Sequence, residues 1–124
     1  MPQATVSETA RLPVPPDRAW TVLRDFAAPW HPDMAWGREE IAEDGARERV
    51  FGMAGDGTRY RERLTWFSDT ERSLAYLLTE GIAGVQDYRA RVRVEPADGG
   101  SVVSWTARIA APADRLDAIR DGTA

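Results

Sequence analysis

The sequence contains no cysteine and no lysine, and its single histidine is His31. Without cysteine, the chain has no disulfide, no thiolate metal site and no cysteine nucleophile. Without lysine, it can form no Schiff base through a side-chain amine and no lysine-based phosphate site. One histidine cannot build a structural zinc site, and no carboxylate-rich cluster is visible in the sequence. We therefore expect neither a metal nor a cofactor.

Long apolar runs and an excess of positive charge are also missing. No apolar run approaches the roughly 20 residues of a membrane span, and the N-terminus lacks the pattern of a signal peptide. We expect a cytoplasmic protein, and the arginine- and alanine-rich composition indicates a GC-rich bacterial genome. The formal net charge of -4 disfavours a nucleic-acid partner, because phosphate binding needs a clustered cationic face.

Two kinds of hydrophobic spacing divide the 124 residues. The first part predicts a strand at residues 4–14, a short amphipathic helix near 17–28 and a helical turn at 32–36. From residue 38 onwards apolar residues recur at every second position. This alternation predicts strands at 38–43, 46–53, 58–67, 72–80, 86–96 and 101–110. The connections between them are short and turn-like, so the strands form an antiparallel meander. A second helix at 113–124 would be only about 18 Å long, which is short for covering such a sheet.

The segments stand in an order that is typical of one superfamily. They are PPDRAWTVLRDFAAPWHP, ARERVF, GTRYRERLTWF, RSLAYLLTEG, QDYRARVRVEP and SVVSWTARIAAP. This ordered set resembles the START-like SRPBCC superfamily over nearly the whole chain, in its polyketide cyclase/dehydrase-like branch. The resemblance implies an α+β helix-grip fold, in which a curved antiparallel sheet of about seven strands surrounds a C-terminal helix and encloses an apolar cavity. Two short helices follow the first strand in this fold.

Residues 1–124 are expected to form one domain of this kind. Members of the superfamily usually have a longer final helix than the one that this sequence offers. We therefore expect that the native chain continues beyond Ala124 or that something else covers the apolar face of the sheet. A second copy of the chain or a separate domain would provide such a cover.

The hairpin around residues 54–57 allows a register prediction. If its loop is symmetric, Phe51 pairs with Tyr60 and Arg49 pairs with Glu62, because side chains alternate between the faces of a sheet. The side chains predicted to share the concave, ligand-facing side are Arg49, Phe51, Tyr60, Glu62, Leu64 and Trp66. The arginines between them would face solvent.

A charged pair on an aromatic face must be mutually satisfied. One interpretation is structural, with Arg49 and Glu62 fixing the register and bracing the sheet. The other is catalytic, with Glu62 moving a proton while Arg49 polarises a carbonyl or orients a carboxylate.

Further aromatic side chains are predicted on the same face. Tyr60, Tyr76 and Tyr88 are candidate pocket hydroxyls, because a hydroxyl in an apolar cavity usually needs a partner. Trp66 and Trp105 are candidate pocket walls. For all five residues the alternative is an ordinary role in the core.

The segment PWHPDMAW surrounds the histidine with two prolines and two tryptophans. We expect Trp30, His31 and Trp36 to form a stiff aromatic rim at one end of the cavity, since aromatics in loops are stronger functional hints than buried ones. The pKa of a histidine allows His31 to act as a general base near neutral pH. The alternative is a partly exposed side chain that fixes the loop.

Three functions remain open from the sequence. The leading one is a small-molecule pocket for an apolar, aromatic or polyketide-like ligand, with a cofactor-independent cyclase or dehydratase as its enzymatic form. The second is a carrier that holds such a ligand without turnover. The third is an interaction or dimerisation module that uses the sheet face left open by a short final helix.

Overall fold

Seven strands and the helix after the first of them make up most of the described chain, which covers residues 2–26, 34–82 and 84–116 of the computed structural model. In chain order they are β1 (Gln3–Leu12), α1 (Pro16–Leu23), β2 (Met34–Ile41), β3 (Arg47–Met53), β4 (Arg59–Ser68), β5 (Ser73–Glu80), β6 (Asp87–Ala97) and β7 (Gly100–Ala110). A helical turn at 113–116 follows β7. The rest of the predicted final helix lies outside the described residues.

All seven strands belong to one antiparallel sheet with the order β1-β7-β6-β5-β4-β3-β2. Sequential strands are neighbours from β2 to β7, and β1 joins the far edge by pairing with β7. Two tight turns depend on glycine at positive φ, Gly45 between β2 and β3 (φ 86) and Gly99 between β6 and β7 (φ 77), a conformation that a side chain disfavours. The predicted α+β fold with a seven-stranded antiparallel sheet is confirmed.

Helix α1 begins one residue before the predicted start and ends five residues before the predicted end. Pro16 occupies the first turn, where its missing N–H removes no hydrogen bond. Ala19 and Trp20 form the buried side of α1, and the helix packs against β6 and β7. The indole Nε1 of Trp20 donates to Asp69 Oδ1 over 2.7 Å, which attaches the helix to the β4–β5 turn.

The core lies between the concave face of the sheet and the segments that cover it. Its buried members come from β1, α1, β5, β6, β7 and the turn after β7, and they include Val6, Trp20, Phe26, Leu74, Tyr76, Tyr88, Val94, Ile109 and Leu116. Phe26, just beyond α1, is fully buried. Burial of these apolar side chains supplies the main favourable term in folding.

The predicted helical turn at 32–36 is wrong for its last three residues, which open strand β2. Trp36 pairs with Gly52 of β3, and a bulge lies between Met34 and Trp36. The strand therefore begins four residues before the predicted residue 38. Backbone hydrogen bonds to β3 outweigh the local turn preference that two nearby prolines suggest in the sequence.

Candidate functional site

A buried ion pair joins two neighbouring strands on the concave face. Arg49 of β3 lies directly opposite Glu62 of β4, and the two residues are 8% and 5% exposed. Arg49 Nε donates to Glu62 Oε1 over 2.5 Å, and Arg49 Nη1 donates to the carbonyl oxygen of Phe26 over 3.0 Å. The predicted register is confirmed for this pair and for Phe51 with Tyr60.

Aromatic rings enclose the guanidinium of Arg49. Its central carbon lies 4.4 Å from the ring centroid of Phe26 and 4.7 Å from that of Tyr76, with Phe51 further away at 5.9 Å. A guanidinium at this distance from an aromatic face is attracted by the ring quadrupole. The cation is thus held by Glu62, a backbone carbonyl and aromatic rings together, and the ion pair is closed on itself.

The pKa of the Glu62 carboxyl differs from that of an ordinary glutamate. Burial raises its pKa above the usual 4.5, and the attraction and hydrogen bond of Arg49 oppose that rise. Desolvation dominates, because a buried carboxylate loses its water shell. Glu62 therefore keeps its proton to a higher pH than an exposed glutamate does.

Tyr76 sits beside the pair with an oriented hydroxyl. The indole Nε1 of Trp105 donates to Tyr76 Oη over 2.8 Å, so the hydroxyl oxygen is an acceptor there. Burial raises the pKa of Tyr76, and the carboxylate of Glu62 adds to the rise. The phenol stays protonated and retains its own proton for donation to another acceptor.

Apolar side chains around this polar cluster are only partly buried. The group that packs against the core in this way includes Leu64, Leu78, Val92, Val103 and Trp105. Leu78 pairs with Glu62, and Leu64 pairs with Tyr76, so both lie on the concave face. Tyr88 is buried on the same face, 6% exposed. Leu64, Tyr76, Tyr88 and Trp105 thus lie on the face predicted for them.

Tyr60 is on the predicted face, but the hairpin loop engages its hydroxyl. The ring stacks on Phe51 with centroids 5.3 Å apart, and Tyr60 Oη donates to Asp56 Oδ2 over 2.6 Å. This hydrogen bond, with a smaller contribution from burial, raises the pKa of Tyr60 to about 12. Tyr60 and Phe51 form one end of the concave face.

The prediction that Trp66 faces the concave side is wrong. A bulge in the β4–β5 pairing falls between Leu64, which pairs with Tyr76, and Trp66, which pairs with Ala75. The extra residue turns Trp66 onto the convex face, where it is 45% exposed and donates its indole Nε1 to Ser73 Oγ over 2.9 Å. The neighbouring Phe67 takes the buried position, 5.6 Å from the ring of Trp20.

The predicted place of Trp36 at the cavity rim is wrong as well. Its cross-strand partner Gly52 also pairs with Arg59 on the other side, which places Trp36 on the convex face. The indole lies across Gly52, where any side chain would collide with it, and Arg38 stacks on the ring at 5.2 Å. Trp36 is 42% exposed. The other two members of the predicted rim, Trp30 and His31, lie outside the described residues.

Phe26 is the member of this cluster that the sequence reading missed as a site residue. Its apolar spacing indicates only that it belongs to the buried side of the first helix. In the structure it lies beyond α1, and both its ring and its carbonyl oxygen contact Arg49. No sequence signal reports a backbone carbonyl as a ligand for a guanidinium.

The described residues offer no group of three or more His, Cys, Asp or Glu side chains that could hold a metal ion. The helical segments of the described chain are too short and too polar to cross a membrane.

The family model for "Polyketide cyclase / dehydrase and lipid transport" matches residues 3–123. The chain belongs to this family. The match includes the strands that carry Arg49, Glu62 and Tyr76. The resemblance stated from the sequence is therefore confirmed, and family and fold together support a protein with a ligand-binding pocket. No curated protein has a sequence that matches this chain.

Solved structures share the fold. A protein from Thermobifida fusca, solved by NMR, is 28% identical with a TM-score of 0.80, and the match covers 93% of this chain and 79% of that one. The Zhui aromatase/cyclase from a Streptomyces species is 20% identical with a TM-score of 0.75, over 90% of this chain and 70% of that one. Norcoclaurine synthase from Thalictrum flavum is 18% identical with a TM-score of 0.76, over 97% and 76%. At these identities the last two show the fold alone.

Proposed function

We propose that this member of the family binds an apolar, aromatic small molecule on the concave face of its sheet and holds it without turnover. The observation that carries the proposal is the set of partly buried apolar side chains around an ion pair that is closed on itself. Apolar surface that is only partly removed from water favours a ligand that completes its burial.

The closed geometry of the ion pair favours a binding protein over an enzyme. Arg49 is bonded to Glu62 and to the Phe26 carbonyl and is enclosed by aromatic rings. A group that polarises a substrate carbonyl needs a donor aimed at the place where charge develops. Here the guanidinium is engaged by the protein itself, which suits a polar wall of a binding site.

The aromatic character of the ligand is supported by two sources. Tyr76 and Trp105 present rings on the concave face, and aromatic rings pack well against one another in offset or tilted arrangements. Two proteins of the same fold are an aromatase/cyclase and norcoclaurine synthase. These names belong to those proteins, and they suggest a similar class of compound for this one.

Two adjacent leucines on strand β5 provide a matched test. Leu78 faces the concave side beside Glu62, whereas Leu77 lies on the convex face beside Arg89, and both are partly buried. The probe is the neutral dye N-phenyl-1-naphthylamine, whose fluorescence rises in apolar surroundings. We expect Leu78→Gln to weaken dye binding by about tenfold, as one lost apolar contact of about 1.4 kcal/mol would. Leu77→Gln should leave it unchanged. Equal effects of both substitutions would refute a concave site.

A cofactor-independent cyclase or dehydratase is the second candidate, and the raised pKa of Glu62 is the observation that favours it. A carboxylate with such a pKa can take a proton from carbon next to a carbonyl, while a dry cavity orients the chain that closes on itself. Native mass spectrometry of the protein purified from its own host would identify the bound molecule. If that molecule is converted by wild type and not by Glu62→Gln, the protein is an enzyme. If Glu62→Gln binds and converts it as wild type does, Glu62 has no catalytic role.

A further inference from the structure

A groove of about 500 Å³ runs across the convex face, on the other side of the sheet from the proposed ligand site. Its floor is apolar or small, with Thr65, Ala75 and Leu77, and arginines from β6 and β7 stand along it. Strands β4 to β7 all contribute, so the groove is part of the rigid sheet. It is separate from the concave site, and its chemistry is different.

The arginines of the groove carry positive charge that the described chain leaves partly unbalanced. Arg89 lies directly opposite Arg108 across the β6–β7 pair, and like charges in that position are destabilising. Asp87 accepts from Arg89 at 3.0 Å. Arg91 and Arg108 have no carboxylate within ion-pair distance among residues 2–26, 34–82 and 84–116. Within the described part of the chain, two neighbouring cations therefore face solvent without a carboxylate partner.

The other half of the convex face shows that this imbalance is local. On β4, Arg61 Nη1 lies 2.9 Å from carboxylates of both Glu40 and Glu48, and Arg59 pairs with Glu80 at 3.1 Å. The same residue type, on the same face of the same sheet, is matched with carboxylates there. Among the described residues, every convex-face arginine of β2 to β4 has a carboxylate partner, whereas Arg91 and Arg108, and also Arg11 on β1, have none.

An exposed tryptophan adjoins the groove. Trp66 pairs with Ala75, which in turn pairs with Arg91, so the three side chains form one row across the face. The bulge that exposes Trp66 also interrupts the regular ladder, and bulges often re-aim a side chain at a functional site. Tryptophan and arginine are the residues most enriched among those that dominate protein interfaces.

We propose that this groove docks an acidic segment of a partner protein. Carboxylates of the segment pair with Arg91 and Arg108, and an apolar side chain lies over Ala75 and Leu77 beside Trp66. Charge complementarity selects the acidic groups, and the apolar floor and the exposed indole select a protein segment over a bare anion. Nucleic acid fits less well, because the cationic patch is only two strands wide and carboxylates bound it on the β2–β4 side.

Paired variants with equal charge change test the proposal. The probe is a fluorescein-labelled synthetic peptide of glutamate and leucine, and its binding is followed by fluorescence anisotropy at low salt. We expect Arg91→Glu/Arg108→Glu to weaken binding by about tenfold or more. The control is Arg11→Glu/Arg18→Glu, two exposed arginines outside the groove, which should leave binding nearly unchanged. Leu77→Gln should also weaken it, and cooperative urea unfolding checks that each variant is folded.

Several outcomes would overturn the proposal. Equal losses in both double variants would mean that only the overall charge matters. A peptide with glutamine in place of glutamate that binds as tightly would exclude the carboxylate contacts. A DNA oligonucleotide that binds tighter, with the same dependence on Arg91 and Arg108, would assign the groove to nucleic acid. A dimer in sedimentation of the protein alone that the Arg91/Arg108 variant abolishes would identify a second copy of the chain as the occupant.

Discussion

On the concave face, the side chain of Arg49 is 10% exposed and forms an ion pair with the side chain of Glu62, which is 7% exposed. On the convex face, the side chains of Arg59 and Glu80 are 52% and 41% exposed, and their charged groups lie 3.1 Å apart. The two arginines lie on neighbouring strands, and each forms an ion pair with a glutamate on an adjacent strand. The two ion pairs differ in hydration. A buried charge has lost its water shell, so it depends on its partner far more than a hydrated charge does. Burial, more than the number of ion pairs, therefore decides how much each arginine matters for the free energy of unfolding.

The largest effect should come from breaking the buried pair. Glu62→Leu removes the carboxylate that balances the charge of Arg49 in the core, and we expect the free energy of unfolding to fall by about 3–5 kcal/mol. The double variant Arg49→Met/Glu62→Leu removes both charges and should recover most of that loss. Arg59→Met on the convex face, where both partners are exposed, should cost on the order of 1 kcal/mol or less. Urea denaturation measures all three. The account is contradicted if Glu62→Leu destabilises the protein no more than Arg59→Met does.

The next effect concerns two tyrosines with different surroundings. Tyr76→Phe removes the acceptor of the Trp105 indole in a largely buried setting, and we expect a loss of about 1–3 kcal/mol in the free energy of unfolding. Tyr60→Phe removes an exposed hydrogen bond to Asp56, for which water can substitute, so its loss should be clearly smaller. Thermal and urea unfolding of both variants would measure this. A larger loss for Tyr60→Phe would contradict the assignment of Tyr76 to the buried side.

The smallest effect is a difference in pH dependence. The pKa of Glu62 is raised by burial, so the folded state holds that proton more tightly than the unfolded state does. Its contribution to stability therefore falls as pH rises from the ordinary value of 4.5 towards the raised pKa. The stability advantage of wild type over Glu62→Gln should shrink over that interval.

Glu40 on the convex face provides the opposite sign as a control. Hydrogen bonds from Arg38 and Arg61 lower the pKa of Glu40, so its contribution is present above the ordinary value and is lost as pH falls. The advantage of wild type over Glu40→Gln should shrink towards acid pH. Urea unfolding at a series of pH values compares the two variants, and slopes of the same sign would show that the two carboxyls do not differ as described.

The sequence predicts the fold and the central pair because both rest on regular alternation. A glycine-rich loop of four residues sets the hairpin register, and alternation then places Arg49 opposite Glu62. The family resemblance supplies the order of the strands. The single-domain prediction for residues 1–124 and the roles of the site residues remain predictions.

The two tryptophan positions could not be predicted, because both depend on bulges. Trp66 and Phe67 are adjacent, and strict alternation can bury only one of them. The bulge buries Phe67 against Trp20 and exposes Trp66, a choice made by tertiary packing. Trp36 follows a second bulge, which lies in β2. The prolines that precede it in the sequence suggest a loop and give no sign of this bulge. The adjacent aromatic residues Trp66 and Phe67 are the sequence signal that could have indicated a bulge in β4.

The most direct test of the concave ligand site uses the indole signals of the five tryptophans in a proton–nitrogen correlation spectrum. Trp105→Phe and Trp66→Phe assign one signal on each face. We expect N-phenyl-1-naphthylamine to shift the signal of Trp105, whose indole donates to Tyr76, and to leave that of Trp66 in place. A bound dye that shifts Trp66 and leaves Trp105 unchanged would contradict a ligand site on the concave face.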